Sequence, residues 1–182
     1  MMRYLRLVLV LIAAPLATTL LLGPRPVIAA AVDDDAQAAL KKLYATSPAS
    51  KVLAEKAKGI LVFPTIVKAG FMVGAHYGHG VLIQNGQVTG HYNSLAGSYG
   101  FQAGVQSFGY ALFFMNDDAL KYLDQSAGLE IGVGPSVVVV DKGMGKSITS
   151  TTLTKDVYAF IFNQKGLMAG AGIQGSKITR IR

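Results

Sequence analysis

A chain of 182 residues, 51% of them hydrophobic, is long enough for one domain with its own core. It has no cysteine, which excludes disulfides, thiol catalysis and a lipidated N-terminal cysteine. Its formal charge of +7 is not gathered into any dense basic cluster, which argues against a nucleic-acid partner.

Arg3 and Arg6 precede an uncharged apolar run, Leu7 to Leu22, broken by Pro15 and followed by Gly23, Pro24, Pro26 and the small residues Ala29-Ala30-Ala31. This is the pattern of a secretory signal peptide over residues 1–31, with cleavage after Ala29 or Ala31. The run is shorter than the ~20 residues that span a bilayer as a helix. Residues 32–182 are then expected to form a single exported domain, in the periplasm or secreted, with room for peripheral association with the envelope membrane. Processing would leave 14 Lys/Arg against 10 Asp/Glu, a net +4. That is compatible with attraction to an anionic surface without being diagnostic of it.

Asp33-Asp34-Asp35 suits the positive end of a helix dipole. Leu40, Leu43 and Tyr44, at i, i+3, i+4, predict an amphipathic helix over Ala36 to Tyr44, with Lys41 and Lys42 beside the apolar stripe. Ser47-Pro48 opens a second helix running to Lys58, with Val52, Leu53 and Ala57 inward and Gly59 as its stop. From Ile60 the period changes to two. A short strand, Ile60 to Phe63, ends at Pro64. A long one, Phe71 to Ile83, is followed by Asn85-Gly86, a two-residue hairpin turn. Val88 to Leu95 returns, and Gly100 to Met115 is a further strand, apolar on both faces in its second half and hence central.

Asn116 caps an inserted helix near 116–127, with Asp117 and Asp118 in its first turn and Gly128 at its end. Leu129 to Val139 alternates as a strand, and further strands are expected at 147–153, 157–163, 167–173 and 177–181. The fold class is therefore α+β: two N-terminal helices, then a glycine-rich, mostly antiparallel, strongly curved sheet or barrel interrupted by one helix.

The stretch VVVVDKGMGKS (Val137–Ser147) imitates a phosphate-binding loop, but Val140 stands where its first glycine belongs. The Ser/Thr-rich run after Ser147 is a poor helix former. An exposed turn carrying Lys142 and Lys146 is the expected reading. His76 and His79 differ by an odd number and face opposite sides of a strand. A two-residue turn at Asn85-Gly86 would pair His79 with Tyr92 and His91 with Gly80, separating His79 from His91 as well. No metal site, cofactor site or catalytic constellation is expected, and no nucleophile elbow is present.

Four stretches are similar, in order and spacing, to the SYLF-domain family. They are Ser47–Ile83 (SPASKVLAEKAKGILVFPTIVKAGFMVGAHYGHGVLI), SLAGSYGFQAGVQSFGYALFFMNDDAL, LEIGVGPSVVVVDKG and DVYAFIFNQKGLMAGAGIQGSKI. The likeness runs from about Leu40 to Lys177. It implies a lipid-binding domain that prefers phosphoinositides, with actin as a partner of fungal and animal relatives. It also implies that basic residues of the N-terminal helical part carry lipid binding, at positions matched here by Lys51, Lys56 and Lys58, with Lys68 in the Lys-Ala-Gly-Phe motif. Where relatives have a Trp-Ser-x-Pro-Ser segment, this chain has His91-Tyr92-Asn93-Ser94-Leu95.

The expected function is thus a non-catalytic, exported domain that recognises anionic phospholipid or phosphoinositide-like headgroups. A small outer-membrane β-barrel or a cell-envelope structural protein is the alternative, since roughly eight strands can be counted and such barrels begin at eight.

Overall fold

A computed structural model describes residues 27–125, 128–140, 153–166 and 172–181. The apolar run at Leu7–Leu22, the turn at Lys142–Ser147 and most of the strands expected at 147–153 and 167–173 lie outside the described residues.

Helix α1 (Val27–Thr46) is twenty residues long and continues through Ala29–Ala31. Its stripe Ala36, Ala39, Leu40 and Leu43 is buried against the sheet. Helix α2 (Pro48–Ala54) has proline at its first position and buries Ala49, Ser50 and Leu53. It stops four residues short of Lys58, because Lys58 N already donates to Phe114 O at 2.7 Å and the chain has entered the sheet.

Strand β1 (Gly59–Gln84) and strand β2 (Gln87–Phe114), of 26 and 28 residues, form one long antiparallel ribbon joined at Asn85-Gly86. The two strand pairs expected there are continuous. Pro64 does not end β1, because β1 is hydrogen-bonded on one side only, to β2, and Pro64 sits in the bulge between Phe63 and Ile66. A second irregularity, between Leu82 and Ile83, shifts the register by one. His79 therefore pairs with Asn93 and Val81 with His91, so His79 and His91 share a face, contrary to the simple hairpin count.

Asn116 caps helix α3 (Asp117–Lys121) by accepting from Ala119 N at 2.8 Å. One 3-10 turn, Tyr122–Asp124, completes an insertion shorter than the sequence suggested. Strand β3 (Leu129–Glu130) and strand β4 (Val137–Val139) replace the single strand expected there. Between them Gly132 and Gly134 take φ of 106° and 94°, which breaks the extended run. Strands β5 (Val157–Gly166) and β6 (Lys177–Ile181) follow.

Strand β2 is the spine. Along one edge it carries β1; along the other it carries β6 at His91–Leu95 and β5 at Gln106–Phe114. The order is β3-β6-β2-β5-β4, antiparallel except for the parallel pair β4–β5, curled into a half-barrel.

The curl has two packed faces. On the concave face Phe63, Ile66, Phe108, Tyr110, Leu112 and Ile178 meet Ala119 and Leu123 of the inserted turn. On the convex face α1 and α2 cover Ile60, Val62, Val81, Ile83, Phe113 and Phe160. Each buried Leu, Ile or Phe contributes about 1.5–3 kcal/mol. The curl is tight enough for β1 to meet itself: a Cβ on Gly80 would lie 2.6 Å from Val62 O and 2.5 Å from the Phe63 ring.

Candidate functional site

The helices leave a groove of about 470 Å³ between α1, the end of α2 and the β1–β2 turn. Leu40, Tyr44, Ile60 and Ile83 line it from the apolar side, and Lys41, Lys58 and Glu55 bring charge to it. Lys41 and Lys58 are exposed, and no ion pair of either is present among the described residues. Burial pushes the Tyr44 hydroxyl up to about 12, so it stays a neutral donor.

Of the four lysines singled out in the sequence, three lie at this end of the molecule. Lys51 is in the last turn of α2; Lys56 and Lys58 are in the segment that turns into β1. Lys51 and Lys56 are exposed and Lys58 stands at the groove. They do not share one helix face, because the helix ends between Lys51 and Lys56. Lys68 is elsewhere: it pairs in register with Gln106, on the concave side of the ribbon, away from the helices.

Lys68 belongs instead to a polar cluster that periodicity did not reveal. His76, 4% exposed, places Nε2 3.2 Å from Ser176 Oγ and 3.4 Å from Ser94 Oγ. Tyr110 OH donates to Ser94 Oγ at 2.7 Å. Ser176 Oγ donates to Ile173 O, so toward Ser176 the imidazole nitrogen is the donor. Burial, and then the positive charge of Lys68, hold the His76 pKa below its usual value. Only Gln106 Oε1, among the described buried side-chain atoms, has no partner.

The other histidines are committed singly: His91 Nε2 is 2.8 Å from Asp33 Oδ1, and His79 Nε2 is 3.2 Å from Tyr77 OH. Among the described residues no group of three His, Asp or Glu side chains is placed to hold a metal.

A second cavity, of about 200 Å³, opens on the far flank of α1. Lys42, Thr65, Ser107, Asn163 and Lys165 line it. Lys41 and Lys42 are about 100° apart around the helix, which is why neighbours in sequence reach different cavities. Nothing in the sequence brings Lys42 and Lys165 together; the register Ser107↔Lys165 does.

No helix among the described residues is long and apolar enough to cross a membrane. No curated protein matches the chain. Residues 95–181 match the model of a family described as Ysc84, Las17-binding protein actin regulator. That span takes in β2 from Leu95 onward, the inserted turn and β3 to β6, and it contains nearly all of the last three of the four stretches quoted for the resemblance. Over these residues the chain is similar to the Ysc84 (SYLF) family, the same family that the sequence stretches resemble.

Proposed function

We propose that the chain is a non-catalytic, exported module that docks on anionic phospholipid surfaces, including phosphoinositide-like headgroups. The observation that carries this reading is the groove beside α1 and α2: two lysines, Lys41 and Lys58, stand beside apolar Leu40, Tyr44, Ile60 and Ile83. Cations next to apolar surface suit the boundary between headgroups and acyl chains. Lys51 and Lys56 add positive charge on the same end of the molecule. Each lysine near an anionic surface contributes about 1 kcal/mol, screened within a Debye length.

A transmembrane barrel is the weaker reading. Such a barrel turns an apolar band to lipid around a polar interior. Here the concave interior holds Phe63, Phe108, Leu112 and Phe114, and helices lie over much of the convex face.

Vesicle flotation tests the proposal. The exported protein should float with anionic vesicles, less so as salt rises, and not with neutral ones. Lys41→Gln with Lys58→Gln should weaken binding by about 2 kcal/mol. Wild-type flotation by that folded double variant would remove the groove from the function.

A further inference from the structure

The second cavity and the sheet beside it have the chemistry of a phospholipid site of their own. Lys42 and Lys165 bring two ammonium groups to the cavity, and no carboxylate lines it. Neither lysine has an ion-pair partner among the described residues. Thr65 and Ser107 offer hydroxyls, and Asn163, held at φ 52°, offers an amide. Two cations with neutral donors fit a phosphate or phosphodiester.

The surface changes character one strand position away. Val67 pairs with Ser107 and Ala69 with Val105, all on the convex face that the helices cover only farther along. Val67 and Val105 are exposed, Val105 by 60%. The strip continues to Phe71, 76% exposed, and Val73, 64% exposed, at a knuckle where β1 bends sharply. There Met72 takes φ 61°, and a Cβ on Gly70 would strike Gly74 Cα. Left-handed backbone at a methionine is uncommon and is held only when its surroundings fix it. The bend therefore holds Phe71 and Val73 out in solvent rather than folding them onto the core.

From Val67 to Phe71 is about 13 Å along a strand rising ~3.3 Å per residue. The headgroup layer of one leaflet is roughly 5–8 Å deep. With phosphate at Lys42 and Lys165, the strip spans that layer and delivers Phe71 to the acyl region.

We propose that the Lys42–Lys165 cavity binds the phosphate of a bilayer phospholipid while the Val67–Val105 strip and the Phe71–Val73 knuckle enter the apolar boundary beneath it. The proposal shares its partner class with the function proposed above but assigns a separate surface, so the two can fail independently.

The chain has no tryptophan, so Phe71→Trp supplies a single reporter. On anionic vesicles its emission should shift to the blue and be quenched by lipids brominated on the acyl chain. Lys42→Gln with Lys165→Gln should weaken vesicle binding about thirtyfold, from ~1 kcal/mol per lysine and ~1.4 kcal/mol per decade. Phe71→Ser with Val73→Ser should weaken it at least tenfold with circular dichroism unchanged, since both side chains are exposed already. Two results would refute this site and leave the groove standing. One is vesicle binding by the Phe71→Trp variant with no change in its emission. The other is wild-type binding by the Lys42/Lys165 variant while the Lys41/Lys58 variant fails to bind. If anionic vesicles are not bound at all, both proposals fall. Concentration-dependent dimers abolished by the Phe71/Val73 variant would assign the strip to self-association and overturn the lipid site.

Discussion

The self-contact of β1 makes Gly80→Ala an informative perturbation. A methyl there would sit 2.6 Å from Val62 O and 2.5 Å from the Phe63 ring. Ordinary contacts of this kind begin at 3.4 Å, so the two passes of β1 must part by most of an ångström, from 2.6 Å to 3.4 Å at Val62 O. Phe63 is fully buried in the concave core and its ring lies 4.7 Å from that of Tyr110, so it cannot simply swing away. Overpacking of this sort costs about 1–3 kcal/mol. At ~2–4 °C per kcal/mol for a domain of this size, Tm should fall by about 2–12 °C. Gly97→Ala, in the same ribbon, is the control: a Cβ there meets nothing, and the change should stay within ~0.5 kcal/mol or stabilise slightly. Urea and thermal unfolding of both variants decide the matter. A Gly80→Ala protein as stable as wild type, or one no less stable than Gly97→Ala, would refute the close approach and with it the tight curl.

His76 gives the fold a pH dependence. Its folded pKa is depressed by burial and by Lys68, so below the unfolded value near 6.5 the unfolded chain takes up a proton that the folded chain resists. Stability present at pH 7.5 should therefore fall as pH drops below about 6.5, and urea midpoints at pH 5 and 7.5 should show His76→Gln losing that component of the slope. Removing the opposing charge with Lys68→Gln should raise the folded pKa of His76 and shrink the loss, which NMR titration of the ring would register. Asn116→Ala removes both the cap on Ala119 N and the 2.9 Å bond to Asp156 Oδ1, and should cost about 1–2 kcal/mol in urea unfolding.

The elements that could be read from the chain are those set by local chemistry. The α1 stripe of Leu40 and Leu43, the Asn85-Gly86 turn and the Asn116 cap follow from residue type and spacing alone. Errors arose where a local rule met a tertiary exception. Pro64 reads as a strand end, yet an edge strand with a bulge absorbs it. The gap between Leu95 and Gly100 reads as a break, yet β2 runs through it. Gly59 reads as a helix stop, yet it is the first residue of β1 and the helix has already ended at Ala54. Of the candidate site, the lysines of the N-terminal helical part were legible as basic residues flanking apolar ones. The distance of Lys68 from them was not, because it depends on which face of a bulged strand each residue takes. The meeting of Lys42 with Lys165 was not legible either, since it depends on the register Ser107↔Lys165 and on where α1 lies against the sheet.

The spine role of β2 also fixes an order of events in time. The β1–β2 ribbon closes through a two-residue turn, so it can form as soon as Phe114 has been made. Its concave partners come much later: β5 pairs from Val157 onward, and Ile181 reaches His91 across ninety residues. Loop closure over such separations is slow. A growing chain must therefore hold a long hairpin with Phe63, Ile66, Tyr92 and Phe108 uncovered until β5 and β6 arrive. Those side chains, rather than any surface of the finished fold, are where a holding chaperone would grip the nascent protein, and where it would aggregate if none did.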